Sequence, residues 1–78
     1  MTQDLIWKKR TDKSGYTQEY IEINYKGYSA EIKKDGNYVD YRTDFAPKGY
    51  NGSFYRSSAL NAEVAAQIIK NMIDEIVG

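Results

Sequence analysis

The sequence predicts an α+β domain: an antiparallel β-meander of three to four main strands, with one C-terminal helix packed across one face. Three observations carry this. Residues 4–45 alternate apolar and polar side chains with period two, broken by turn residues. The dipeptides Lys26-Gly27 and Asp35-Gly36 stand between such runs, where a tight hairpin needs them. Residues 58–77 change to helical spacing, with Leu60, Val64, Ala65, Ile68, Ile69, Met72, Ile73, Ile76 and Val77 forming a broad apolar stripe. At 78 residues the chain is one domain, divided into a meander (4–45), a loop (46–57) and a helix (58–77).

Taken in order, the first strand is expected over residues 4–10. Its buried side is ambiguous, because Leu5 and Trp7 alternate with Ile6 and Lys8. Thr11-Asp12-Lys13-Ser14-Gly15 reads as a turn. A second strand, 16–25, places Ile21, Ile23 and Tyr25 on one face and Tyr16, Tyr20, Glu22 and Asn24 on the other. A third, 28–34, sets Tyr28, Ala30 and Ile32 against Ser29, Glu31 and Lys33. With Asp35-Gly36 as the turn, a fourth strand, 37–45, alternates Val39, Tyr41 and Thr43 with Tyr38, Asp40 and Arg42. The loop after Pro47 is long for so small a domain, and residues 53–56 are a candidate for a short extra strand. Ser57, Ser58 and Asn61 are the candidate helix N-caps, with Glu63 suited to the first turn. The helix is expected to lie over Ile21, Ile23, Tyr28, Ala30, Ile32, Val39 and Tyr41.

Composition narrows the function classes. There is no Cys and no His, so disulfides, Ser-His and Cys-His catalysis, and a structural zinc site have no residues to build them. Gly49-Tyr50-Asn51-Gly52 matches neither phosphate-binding glycine pattern. Asp35-Gly36-Asn37 with Asp40 lacks the ligand ladder of a calcium loop and is explained by a hairpin turn. Glu19 and Glu22 point to opposite faces, and Asp74-Glu75 lies on an exposed helix end, so neither pair has the burial that tunes a catalytic acid. The expectation is therefore no enzyme, no catalytic residue, no cofactor and no metal. Eleven basic and eleven acidic residues leave zero net charge, which disfavours nucleic acid as the main partner. No apolar run approaches a membrane span, and Met1-Thr2-Gln3-Asp4 lacks the pattern of a secretory signal, so a cytoplasmic protein is expected.

What remains is surface. Eight tyrosines against one Trp and two Phe is a strand-former's composition, and also that of an aromatic recognition surface. Two candidate patches follow. One is the open sheet face, with Tyr16, Tyr20, Tyr38 and Arg42 among mixed charges. The other is the loop, with Tyr50, Tyr55 and Arg56, where either Phe54 or Tyr55 is expected to tuck under the helix.

The run Gly27-Tyr28-Ser29-Ala30-Glu31-Ile32-Lys33 with Asp35-Gly36, an aromatic strand, Phe54 and a helix resembles AP2-type and integrase arm-binding DNA modules. That resemblance implies DNA reading through the open sheet face, although those modules are basic and Glu22, Glu31 and Asp40 dilute this face. In size, Tyr-rich strands, absent cysteine and sheet-plus-helix build, the chain also resembles small phage and mobile-element proteins, anti-CRISPR proteins included. That resemblance implies a phage-encoded inhibitor of a bacterial host defence system such as CRISPR-Cas, acting by occupying a larger host protein. The leading expectation is a non-enzymatic protein-binding module. A DNA-binding module and a self-associating, homodimeric accessory protein are the alternatives.

Overall fold

The structure, a computed structural model, describes residues 5–78. Five strands form one sheet in sequence order: β1 (Lys8–Thr11), β2 (Thr17–Tyr25), β3 (Tyr28–Asp35), β4 (Tyr38–Thr43) and β5 (Tyr55–Ala59). Every neighbouring pair is antiparallel. Helix α1 (Ala62–Val77) follows and packs against β2, β3, β4 and β5. The α+β meander with a C-terminal helix is thus as expected, with one strand more than the three to four main ones.

The hairpins obey local turn chemistry. In the β2–β3 turn both central residues have positive φ, Lys26 at 50° and Gly27 at 85°, which is the twist a two-residue hairpin favours. Gly27 takes that region freely, whereas Lys26 does so at a cost. The Lys26 ammonium recovers some of this by contacting the Asp74 carboxylate of α1 at 2.6 Å, beside the Tyr25 hydroxyl, which donates to the same oxygen at 3.0 Å. The Lys26 hydrogen bond, then that of Tyr25, holds the Asp74 carboxyl below the usual aspartate range. At the next turn the expectation shifts by one residue. Asp35 pairs with Tyr38 as the last residue of β3, so the central pair is Gly36-Asn37, and positive φ is needed only at Gly36 (62°). Asp12 organises the β1–β2 connection, its Oδ1 accepting from Ser14 N and Oγ and from Tyr16 N.

The core is a one-sided isoleucine seam. Ile21, Ile23 and Ile32 of the sheet meet Ile69 and Ile73 of the helix, all with essentially no exposure. Ala30, Val39, Tyr41, Ala65 and Ala66 complete the contact. Six of the seven expected sheet positions are buried; Tyr28 is half-buried and packs edge-to-face on Phe45, with ring centroids 5.2 Å apart. Asn61 is the N-cap, its side chain accepting from Val64 N at 2.9 Å. The helix therefore starts four residues later than position 58, because residues 58 and 59 are taken by β5. Leu60 consequently lies outside the apolar stripe and is 73% exposed.

Helix α1 runs diagonally, from the Ala59 end of β5 to the β2–β3 turn at Lys26. The long loop covers one corner this leaves, burying Phe45 and bringing Tyr50 edge-on to Tyr55. Thr43 secures the loop's start, its buried hydroxyl donating to Phe45 O at 2.5 Å. The segment before β1 reaches the opposite corner. Leu5 packs half-buried against the core, while Trp7 lies under the Lys34 ammonium and Ile6 is exposed, which resolves the ambiguous first strand in favour of the Leu5 and Trp7 face. The strand itself is shorter than residues 4–10, and Asp4 lies outside the described residues.

If the seam is the source of stability, Ile32→Ala and Ile69→Ala should each cost about 2–4 kcal/mol in urea unfolding. Ile68, only partly buried beside Ile69, should cost clearly less. An Ile68→Ala loss equal to or above that of Ile69→Ala would contradict this packing.

Candidate functional site

Because the helix covers one face, period two sends every other side chain of the sheet to an uncovered face. Strand pairing orders that face into rows. One row reads Lys8, Tyr20, Lys33, Asp40, Ser58 from β1 to β5. The next reads Glu22, Glu31, Arg42, Arg56 from β2 to β5. The turn-proximal end of β3 and β4 adds Asp35 opposite Tyr38.

Across the first three strands opposite charges meet. Lys8 Nζ lies 3.7 Å from Glu22, and Arg10 reaches across to Glu31 at 3.6 Å. On its way the Arg10 guanidinium lies over the Tyr20 ring, 4.5 Å from the centroid. Tyr20 is therefore half-buried and held in place, with one ring face already occupied. Exposed surface ion pairs of this kind contribute little stability, but they fix side-chain positions.

The acidic corner is different. Asp35 of β3 stands opposite Tyr38, and Asp40 is the next side chain of β4 on the same face, which gathers the three at one end of the sheet. Desolvation, then the Asp35 hydrogen bond and charge, pushes the Asp40 carboxyl up from the ordinary aspartate value. The Asp35 charge, together with a hydrogen bond to Asp35, raises the Tyr38 phenol. Tyr38 stays neutral, a hydrogen-bonding aromatic that is 47% exposed.

On the β4–β5 side the Arg42 guanidinium lies 4.8 Å from the Phe54 ring centroid, and Arg56 stands directly opposite Arg42. Phe54 is 44% exposed. Of the candidate residues, the structure places Tyr20, Tyr38, Arg42 and Arg56 on this one face. Arg56 thus joins the sheet-face group, being part of β5 and not of the loop. Tyr16 is exposed in the β1–β2 turn, outside the strands.

Tyr55 lies apart from this face. It pairs with Thr43 on the helix side, is half-buried, and packs on Tyr41 and Tyr50. It is the aromatic that tucks under, while Phe54 faces outward. The extra strand lies at Tyr55–Ala59, not 53–56, so the parity of these two residues follows from the Thr43–Tyr55 register. Tyr50 remains exposed, beside a cleft of about 390 Å³ that Tyr55, Ile68 and Met72 also line. A second cleft of about 510 Å³ lies between Trp7, Tyr38 and Leu60. Arg10 is outside the candidate set, and Phe54 enters it only as one of two aromatics expected to tuck under the helix; the assembled sheet places both at this face.

The polar side of α1 is largely engaged with its own surroundings. Gln67 bonds Asn71 at 2.9 Å, Asp74 holds Lys26 and Tyr25, and Lys70 lies over Tyr25. Among the described residues no group of three or more His, Cys, Asp or Glu is placed to hold a metal ion, and no helix is long and apolar enough to cross a membrane. Comparison with protein-family models, with curated proteins and with solved structures finds no match.

The Asp35 charge disfavours the Tyr38 phenolate, so Asp35→Asn should lower the Tyr38 phenol toward the ordinary tyrosine value, and the Asp40 carboxyl with it. An NMR pH titration of the two side chains tests this. Unchanged titration of both in Asp35→Asn would show that the corner is not coupled. By linkage, the raised phenol contributes stability that is intact below the ordinary tyrosine value and lost as pH rises through the folded one.

Proposed function

We propose that this protein is a binding module that acts by occupying a partner protein through its uncovered sheet face. One observation carries the reading. The face presents two exposed aromatics, Tyr38 on β4 and Phe54 at the residue entering β5, among interleaved charges of both signs. Interfaces concentrate their energy in a few aromatic and Arg residues, while surrounding charges set orientation and rate. Tyr38, mounted on a strand, and Phe54, held against the Arg42 guanidinium, lose little freedom on binding, so less of the contact energy is spent on ordering.

The same charges weigh against nucleic acid. A phosphate backbone crossing this face would pass over Glu22, Glu31, Asp35 and Asp40, and Lys8 and Arg10 are already engaged by two of these. Phosphate-driven binding needs a surplus of free cations along a track. The reading involves no catalysis. Its likeness in size and build to phage accessory inhibitors extends the proposal to a host protein as the target, a bacterial defence component such as a CRISPR-Cas effector.

Affinity capture from bacterial host lysate, with and without nuclease, tests the reading when repeated with Tyr38→Ala and Phe54→Ala. Each is expected to weaken a nuclease-resistant protein partner by about 2 kcal/mol or more while leaving circular dichroism unchanged. The comparison is Tyr50→Ala, on the helix side. A partner lost only with Tyr50→Ala, or capture of nuclease-sensitive material alone, would overturn the assignment to the sheet face.

A further inference from the structure

The row Glu22, Glu31, Arg42, Arg56 sets like charges opposite one another twice. Directly opposed like charges destabilise a sheet. The acidic half is relieved, because Lys8 and Arg10 reach Glu22 and Glu31. The basic half is relieved less: the Asp40 charge acts on Arg56, but from a distance. Among the described residues no carboxylate lies within 4.0 Å of Arg42 or Arg56. Arg42 has an acid directly opposite it on β3, yet Glu31 bonds Arg10 while the Arg42 guanidinium stacks on Phe54. Stacking uses the face of the guanidinium and leaves its N–H edge, the part that grips a carboxylate through two parallel hydrogen bonds, directed elsewhere.

Building on the protein-binding reading above, we infer that Arg42, Arg56 and Phe54 form a seat for an acidic segment of the partner, one that presents two neighbouring carboxylates. The Cβ atoms of cross-strand partners in an antiparallel sheet stand about 4.5–5.5 Å apart, so Arg42 and Arg56 rise from neighbouring roots, within reach of two neighbouring Asp or Glu side chains. Charge complementarity selects this occupant. The cationic site has two points and is bounded on β3 by Glu31 and along β4 by Asp40, so it suits a short acidic segment better than a continuous phosphate chain. Phe54 supplies an apolar contact beside the ion pairs and holds one guanidinium in place before the partner arrives.

The probe is a labelled synthetic peptide rich in Asp and Glu, read by fluorescence anisotropy at low ionic strength. Its Asn/Gln counterpart is the charge control, and oligothymidylate is the phosphate arm. Arg42→Gln and Arg56→Gln should each weaken the acidic peptide about tenfold, whereas Lys8→Gln should change it less than about twofold, because Lys8 is already paired. Relief of like-charge opposition should leave the melting temperature of each Arg variant unchanged or higher, which separates lost binding from lost fold. Equal losses in Lys8→Gln and the Arg variants would show diffuse attraction and overturn the seat. Tighter binding of oligothymidylate, lost in the same Arg variants, would make the site a phosphate site and overturn it in favour of nucleic acid. If the captured protein partner depends on Tyr38 but is unaffected by both Arg variants, the seat fails while the sheet-face reading stands.

Discussion

The width of one helix governs this molecule. Five strands spaced about 4.8 Å apart span roughly 19 Å, while a helix with its side chains is about 10–12 Å across. A single helix cannot cover such a sheet, and α1 crosses it on a diagonal that spends its contacts on the isoleucine seam. The two corners it misses are met by the β4–β5 loop, through Phe45 and through Tyr50 packed on Tyr55, and by the segment before β1, through Leu5. The loop is long because it has a surface to cover. Among the described residues nothing packs on the other side of the sheet, and that face is open.

This geometry divides labour between the faces. Odd positions of β2 and even positions of β3 carry the Ile and Ala side chains that hold the fold, with Asp74, Lys26 and Tyr25 tying the end of the helix to a hairpin. The opposite positions carry charge and aromatics that the core does not need. Their arrangement is not the most stable one available, since Arg42 faces Arg56 and Asp35 crowds Asp40. Surfaces free of other duties tend toward satisfied charge pairs. On the binding reading proposed above, loosely relieved charges beside outward aromatics are stability given up where a partner would restore it.

Much of the fold is legible in the sequence, because its signals are local. The β2 and β3 alternation, Lys26-Gly27 and the stripe through Ile69 and Ile73 each lie within a few residues of one another. The parts that were not legible depend on distant pairing. Whether Phe54 or Tyr55 faces inward depends on the register of β5 against Thr43, set across an eleven-residue connection from 44 to 54 that period two does not govern. The choice among Ser57, Ser58 and Asn61 as N-cap was decided by β5 claiming the serines for the sheet edge. At the site, the placement of Tyr20, Tyr38 and Arg42 on one face follows from parity alone. That Arg10 covers Tyr20 and bonds a glutamate two strands away does not, since a long side chain can reach several neighbours and only the assembled sheet selects one.

The claim that the two faces do separate work is tested most directly by stripping the open one. A combined variant, Tyr38→Ser, Arg42→Gln, Phe54→Ser and Arg56→Gln, is compared with the native chain for thermal unfolding and for capture of the protein partner proposed above, in parallel. The account predicts a cooperative transition within about 5 °C of native, roughly a 1 kcal/mol change for a domain of this size, with partner capture abolished. A variant that loses its cooperative fold, or that keeps its fold and still captures the partner, would contradict it.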